Sequence, residues 1–141
     1  MIRNIVNAIF LRSDCVLLAR RSPSKKAYPN LWSSPGGHVK DMETLEQALK
    51  REVREELGVE LSHFVPLTNL LDPDYDKTPV IYHMFLVQSW FGYPRIMDDE
   101  HTDLRWFSLG EAENLSDLAL QEYRSLFGTL RHKQPKISNP A

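Results

Sequence analysis

A mixed α/β or α+β sandwich, in which a sheet packs against helices, is the fold class that the sequence predicts. Short stretches rich in β-branched and aromatic residues predict strands, two stretches with helical periodicity predict the main helices, and polar turns separate them. The 141 residues suffice for one hydrophobic core, and neither a repeat nor a low-complexity linker divides them. We therefore predict one domain over residues 1–131 and a polar tail over residues 132–141.

The first half of the chain contains the best-defined helix. Strands are predicted over residues 2–11 and 15–20, as a hairpin, and over 38–39, with a loop at 21–30 and a turn at 33–37. A helix is predicted over residues 44–57 because apolar residues recur at helical spacing. Thr44 and Gln47 form a capping box, and Gly58 can adopt the left-handed conformation that ends a helix.

The second half of the chain alternates predicted strands with loops. Strands are predicted over residues 59–68, 80–89 and 104–107, with an acidic, proline-bounded loop at 72–79 and an irregular acidic stretch at 91–103. Ser108 and Glu111 have the spacing of a capping box that opens a brief helix. Apolar residues from Leu115 to Leu130 predict a final amphipathic helix, and residues 131–141 are expected to fray.

The composition excludes several classes of protein. Hydrophobic residues make up 42% and charged residues 26%, as in ordinary soluble domains, and the net charge of −2 argues against binding to duplex nucleic acid. Cys15 is the single cysteine, which excludes an intramolecular disulfide and a cysteine metal cluster. With neither a membrane-spanning apolar run nor a secretory signal, we expect a cytoplasmic protein that does not bind membranes. The sequence leaves formation of a homodimer open.

Three glutamates of the predicted helix lie on or beside its apolar stripe. At about 100° per residue, Glu56 falls near the middle of the stripe, Glu52 inside it and Glu55 at its edge. Clustered, desolvated carboxylates repel one another, and a hard divalent cation such as Mg²⁺ removes that cost. The alternative is a helix with ordinary surface ion pairs, for example between Arg51 and Glu55.

The sequence around this helix resembles the Nudix box at every defined position. Gly37 is followed after five residues by Glu43 and, seven residues later, by the run Arg-Glu-Val-Arg-Glu-Glu-Leu-Gly-Val over residues 51–59. Residues 31–37 and 104–109, together with the strand end Arg20-Arg21, are similar to other parts of MutT-type members of the family. The resemblance implies the Nudix fold, in which a mixed β-sheet is sandwiched between α-helices and the box forms a loop–helix–loop motif.

The resemblance also implies roles for individual residues. Mg²⁺ or Mn²⁺ is the implied cofactor, with the backbone carbonyl of Gly36 or Gly37 as a further ligand. Arg51 and Glu43 would brace the loop against the helix, and Gly37 and Gly58 would allow the backbone turns at its ends. The implied metal ligands are Glu52, Glu55 and Glu56, and the catalytic residues are Glu52, Glu55 and Arg51.

The implied reaction is attack of water on a phosphorus of a diphosphate, with a carboxylate accepting the proton. Glu52, Glu55 and Glu100 are candidates for that base, and Glu100 is alternatively a solvated loop acid. Arg21 resembles an arginine that contacts substrate phosphate, although a surface charge is an equal alternative. Trp32 is a candidate for stacking on a base, with packing as the alternative.

A nucleoside triphosphate, cleaved to a nucleoside monophosphate and pyrophosphate, is the substrate that the MutT-like layout favours. The alternative is a nucleoside diphosphate linked to another group, such as ADP-ribose. Ser34 and His38 depart from the residues of oxidised-guanine enzymes, which puts guanine recognition in doubt. An isopentenyl diphosphate isomerase would need a cysteine within residues 32–35, and none is present there. A non-catalytic binding module would be favoured by loss of defined positions of the box, and all of them are present.

Overall fold

The computed structural model describes residues 2–72 and 78–133 of the chain. Within them, seven strands and three helices confirm the predicted combination of sheet and helices. In chain order the elements are β1 (Arg3–Arg12), β2 (Cys15–Arg21), β3 (Trp32–Ser33), β4 (Gly36–His38), α1 (Leu45–Leu57), β5 (Glu60–Asp72), β6 (Val80–Phe91), β7 (His101–Ser108), α2 (Leu109–Glu113) and α3 (Glu122–Lys133). No helix in these described ranges is long and apolar enough to cross a membrane.

The sheet is mixed, and β1 is its central strand. The order is β3-β2-β1-β6-β5, with β4 also paired to β1 and β7 to β2. Strands β1 and β6 run parallel, whereas the other pairs are antiparallel. Because β1 pairs with β6 and β4 along its first part and with β2 at its end, it joins both parts of the sheet.

Hydrophobic cores lie on both faces of this sheet. Side chains alternate between faces along a strand, so Ala8 packs with Leu49 and Val53 of α1, whereas Ile9 packs with Phe127 of α3 on the other side. The sheet therefore lies between helices, as the predicted fold class requires.

Helix α1 begins and ends as the sequence predicts. Thr44 Oγ1 accepts a hydrogen bond from Gln47 N at 3.1 Å, and Gln47 Oε1 accepts one from Thr44 N at 2.9 Å. Gly58 ends the helix with φ = 69°, a conformation that other residues rarely adopt. The same capping box forms at Ser108 and Glu111, where α2 begins.

The structure corrects several predicted boundaries. Strand β7 begins at His101, within the stretch predicted to be irregular, and β5 and β6 are longer than predicted. The last helix begins at Glu122, not near Leu115, because residues 117–119 bond to β3: Trp32 N donates to Asp117 O at 2.9 Å, and Ala119 N donates to Trp32 O at 2.8 Å. Residues 131–133 belong to α3 and are not frayed. Most of the predicted loop at 72–79 and the rest of the tail lie outside the described residues.

Candidate active site

A cavity of about 330 Å³ lies where α1, the segment before it, β2 and the start of β7 meet. Its wall contains both ionisable residues and aromatic or apolar ones. The ionisable residues are Arg21, Lys25, His38, Lys40, Glu52, Glu56, Glu100 and His101. The aromatic and apolar residues are Ile5, Ala27, Tyr28, Tyr82, Ala119, Leu120 and Tyr123. This cavity can accept a molecule that has both an anionic and an apolar part.

Helix α1 places Glu52 and Glu56, one turn apart, on the cavity wall. Glu56 is only 6% exposed, and Gly36 N donates a hydrogen bond to its Oε1 at 3.3 Å. Burial raises the pKa of Glu56 well above its usual range, and a hydrogen bond that its protonated form donates to Glu52, the charge of Glu52 and that of Asp98 raise it further. A carboxyl in this environment is stable when it is protonated or when a cation lies beside it.

Arg51 holds the loop before the helix through ion pairs. Its Nε donates to Glu43 Oε2 at 2.6 Å, and its terminal nitrogens donate to Glu43 Oε1 and His38 O at 3.0 Å and to Glu52 Oε1 at 2.8 Å. The hydrogen bonds from Arg51 lower the pKa of Glu43 to about 2, and the same pairing raises the pKa of Arg51. Arg51 thus fixes both the loop and the carboxylate of Glu52.

Glu55 is placed differently from its neighbours. Its side chain is 56% exposed and accepts a hydrogen bond from Arg51 at 3.2 Å. It is not among the residues that line the cavity. The structure therefore brings Glu52 and Glu56 together in the cavity and leaves the third predicted ligand at its outer edge.

A glycine suits position 37 because the carboxyl group of Glu52 lies close to its backbone, and not because the backbone turns there. Gly37 lies in β4 without a positive φ, so the predicted turn at this position is wrong. A Cβ atom on Gly37 would lie 2.4–2.6 Å from the carboxyl group of Glu52, so a larger residue would displace that carboxylate.

Asp98 and His101 are site residues that the sequence analysis missed. Ligand atoms of Glu56, Asp98 and His101 lie within 4.8 Å of one another, a group that could hold a metal ion. His101 Nδ1 donates to Asp98 Oδ1 at 3.2 Å, while Asp98 Oδ2 is buried with no hydrogen-bond partner in the described part of the chain. An orphaned carboxylate oxygen beside a buried glutamate fits a divalent cation. The acidic run 98–100 followed by histidine was the available signal, but only Glu100 was singled out.

Arg21 and Glu100 both line the cavity, whereas Trp32 does not. Arg21 Nε donates to Ala27 O at 2.8 Å. Lys25 forms an ion pair with Glu100, which lowers the pKa of that carboxyl. Trp32 is 4% exposed and packs edge-on against Phe107, with ring centroids 5.0 Å apart. The structure thus places Trp32 in the hydrophobic core, because β3 directs it inward against β7.

A mixed sheet between helices, with a buried acidic cluster beside basic residues, defines a metal-assisted hydrolase as the class of protein. The model of the NUDIX domain family matches residues 1–127. A relative named nucleoside triphosphatase NudI from Salmonella schwarzengrund is 41% identical over 114 residues, covering 74% of this chain and 80% of that relative.

Solved structures show the same similarity. The MutT NUDIX hydrolase of Burkholderia pseudomallei has a TM-score of 0.80 at 27% identity, covering 91% of this chain and 97% of that one. The E. coli ORF135 protein has a TM-score of 0.78 at 30% identity, covering 96% and 94%. The chain therefore belongs to the Nudix family and has its fold. It is a hydrolase that cleaves phosphoric anhydride bonds, and enzymes of this family generally use a divalent metal.

Proposed function

We propose that the protein hydrolyses nucleoside triphosphates to nucleoside monophosphates and pyrophosphate, using Mg²⁺ or Mn²⁺ held by Glu52, Glu55 and Glu56. The observation that carries this proposal is one cavity in which buried carboxylates lie beside cationic side chains. The name of the NudI relatives, nucleoside triphosphatase, also favours this substrate class. When bound, the metal would neutralise phosphate oxygens and lower the pKa of a coordinated water.

Glu52 is the residue best placed to accept the proton of the attacking water. It lines the cavity, and Arg51 holds its carboxylate in place at 2.8 Å. The water oxygen bonds to one phosphorus of the α–β bridge, and the bond from that phosphorus to the bridging oxygen breaks. The proton of the water passes to Glu52, and the products are the monophosphate and pyrophosphate. Glu100 lines the same cavity and is paired with Lys25, as Glu52 is with Arg51, so Glu100 is the alternative base.

Arg21, Lys25 and Lys40 supply positive charge to the same cavity. A triphosphate carries several negative charges, so these side chains favour its binding and orient it against the glutamates. Arg21 is the best placed of them because its Nε donates to a backbone carbonyl and not to a carboxylate, which leaves its charge for substrate oxygens.

A second candidate substrate is a nucleoside diphosphate linked to another group, such as ADP-ribose. The supporting observation is a second cavity of about 320 Å³ that shares Tyr28, Tyr82, Ala119 and Leu120 with the first and reaches Asp72. A second sugar would fit there. The cytoplasmic location and the lack of binding to duplex nucleic acid remain predictions of the sequence, which leaves formation of a homodimer open.

The test is a substrate screen with product analysis. The four ribonucleoside and four deoxyribonucleoside triphosphates and several diphosphate conjugates are incubated with Mg²⁺, with Mn²⁺ or with excess chelator, and the products are resolved by phosphorus NMR. We expect monophosphate and pyrophosphate from triphosphates, and none in chelator. Release of orthophosphate and a nucleoside diphosphate, or tenfold better turnover of the conjugates, would refute the proposed substrate; full turnover in chelator would refute the metal requirement.

A further inference from the structure

Asn7 is a residue of the cavity wall with a buried acceptor atom that is unpartnered among the described residues. The residue is 5% exposed, lines the cavity from β1, and its Oδ1 has no hydrogen-bond partner within the described ranges. Its Nδ2 donates to Ser34 O at 3.1 Å. Turning the amide over would set two oxygens against each other, so this bond fixes Oδ1 as the free acceptor. Buried acceptors are normally satisfied, and an unsatisfied one on a cavity wall indicates a group that binds there.

Asn7 lies on the face of β1 that packs with the tyrosines of the cavity wall. Because side chains alternate along β1, Asn7 shares a face with Ile9, whereas Ala8 faces α1. Ile9 packs in the core that contains Tyr82 and Tyr123, and both tyrosines also line the cavity. A substrate whose phosphates lie at the glutamates would thus place its other end against Asn7 and these rings.

We propose that Asn7 Oδ1 accepts a hydrogen bond from an N–H group of the substrate's nucleobase and so determines specificity for base-bearing triphosphates. This inference rests on the proposed function. A nucleobase offers what this part of the cavity requires, namely a flat apolar face for the rings and an N–H donor at its edge. A triphosphate that lacks the donor leaves Asn7 buried and unpaired, and is therefore discriminated against.

The main experiment compares Asn7→Leu with the wild-type enzyme on two substrates. One is the best nucleoside triphosphate, and the other is ribose 5′-triphosphate, which has no base. We expect Asn7→Leu to lower kcat/KM about tenfold or more for the nucleotide and by less than about twofold for the ribose compound. Equal losses on both substrates, or no loss on either, would overturn the assignment.

A matched control separates this effect from damage to the strand. Asn4 lies on the same strand and hydrogen-bonds His83 at 2.9 Å, outside the cavity lining. Asn4→Leu should leave the preference for nucleotide over ribose triphosphate unchanged. If it changes that preference as much as Asn7→Leu does, the effect belongs to the strand and the assignment is wrong.

A second measurement needs no variant and holds even if Asn7→Leu fails to fold. The wild-type enzyme is given its best nucleotide and an analogue without a base N–H donor. The analogue is purine riboside triphosphate for adenosine, pyrimidin-2-one riboside triphosphate for cytidine, N3-methyluridine triphosphate for uridine, or N1-methylinosine triphosphate for guanosine. Loss of the donor should lower kcat/KM about tenfold or more. Equal turnover of both members of the pair would refute the inference.

Failure of the proposed function gives a different result. If the wild-type enzyme cleaves only diphosphate conjugates, the triphosphate proposal is wrong, and the same comparisons are made between a nucleoside diphosphate conjugate and its donor-deleted form. The Asn7 assignment then succeeds or fails by the same criterion.

Discussion

The charges around Arg51 neutralise one another, whereas two ionisable residues of the cavity wall, Glu56 and Arg21, have no ion pair in the described part of the chain. Arg51 donates hydrogen bonds to Glu43, Glu52 and Glu55 at distances between 2.6 and 3.2 Å. Glu43 consequently has a pKa of about 2. These ion pairs hold the loop that precedes α1 to the helix.

On the cavity wall, by contrast, Glu56 and Arg21 lack such partners among the described residues, although Lys25 pairs with Glu100 there. Glu56 is buried with a raised pKa, and Arg21 has no ion pair within the described part of the chain. The same residue types on neighbouring elements therefore serve different purposes. The paired charges stabilise the fold. The unpaired charges are those that the proposed cation and anionic substrate would neutralise.

Among the substitutions on the cavity wall, Glu56→Gln should lower the activity most. We expect kcat/KM to fall about 10²-fold or more, because a metal ligand is lost. The melting temperature without metal should hold or rise, because glutamine resembles the protonated carboxyl and removes a buried repulsion. Added Mg²⁺ should raise the melting temperature less than in the wild type.

Glu46→Gln is the matched control, since this exposed glutamate lies on the same helix. It should alter neither activity nor the response to metal. Full activity of Glu56→Gln would contradict its assignment as a ligand.

Glu55→Gln tests where the boundary between the two regions lies. We propose Glu55 as a metal ligand although it pairs with Arg51, because its carboxylate is exposed and Arg51 retains its other bonds. We expect a loss of activity of about 10²-fold, with little change in the melting temperature without metal. Wild-type activity would mean that Glu55 only pairs with Arg51 and is not a metal ligand.

Arg21→Ala removes the positive charge that lacks an ion pair. A charge-assisted contact with phosphate contributes about 1.5–3 kcal/mol, so kcat/KM for triphosphates should fall roughly 10- to 150-fold. Arg20→Ala is the control, because Arg20 pairs with Asp117 at 3.6 Å and lies outside the cavity lining. Equal losses from the two variants would show that strand β2, and not the charge of Arg21, matters.

Features set by neighbouring residues could be predicted from the sequence. The limits of α1 depend on Thr44, Gln47 and Gly58, which all lie within a turn of the helix ends. The glutamates that share one face follow from helical periodicity. These features are local, so no knowledge of the rest of the fold was needed.

Features set by distant contacts could not be predicted. Asp98 approaches Glu56 because Met97 N donates to Glu56 O at 2.9 Å and Arg95 N donates to Leu57 O at 3.1 Å. These bonds join segments about forty residues apart, and no short pattern encodes them. The late start of α3 likewise depends on pairing with β3.

Glu43→Gln tests the paired charges around Arg51 and should have the smallest effect. It leaves Arg51 with its other partners but removes one charge of the pair. Because the pair is partly exposed and Arg51 keeps its bonds to Glu52 and His38, we expect the melting temperature at neutral pH to fall by only about 1–3 °C. Thermal unfolding monitored by circular dichroism would measure this difference.

The pH dependence of that difference identifies its cause. The pKa of Glu43 is lowered from 4.5 to about 2 in the folded protein, so folding favours its ionised form. Its stabilisation is therefore complete above the unfolded value and is lost as the pH falls from about 4.5 towards 2. The melting temperatures of wild type and Glu43→Gln should converge as the pH is lowered from 6 to 3. A difference that stays constant over this range would mean that Glu43 stabilises the loop through packing or neutral hydrogen bonds, and not through its charge.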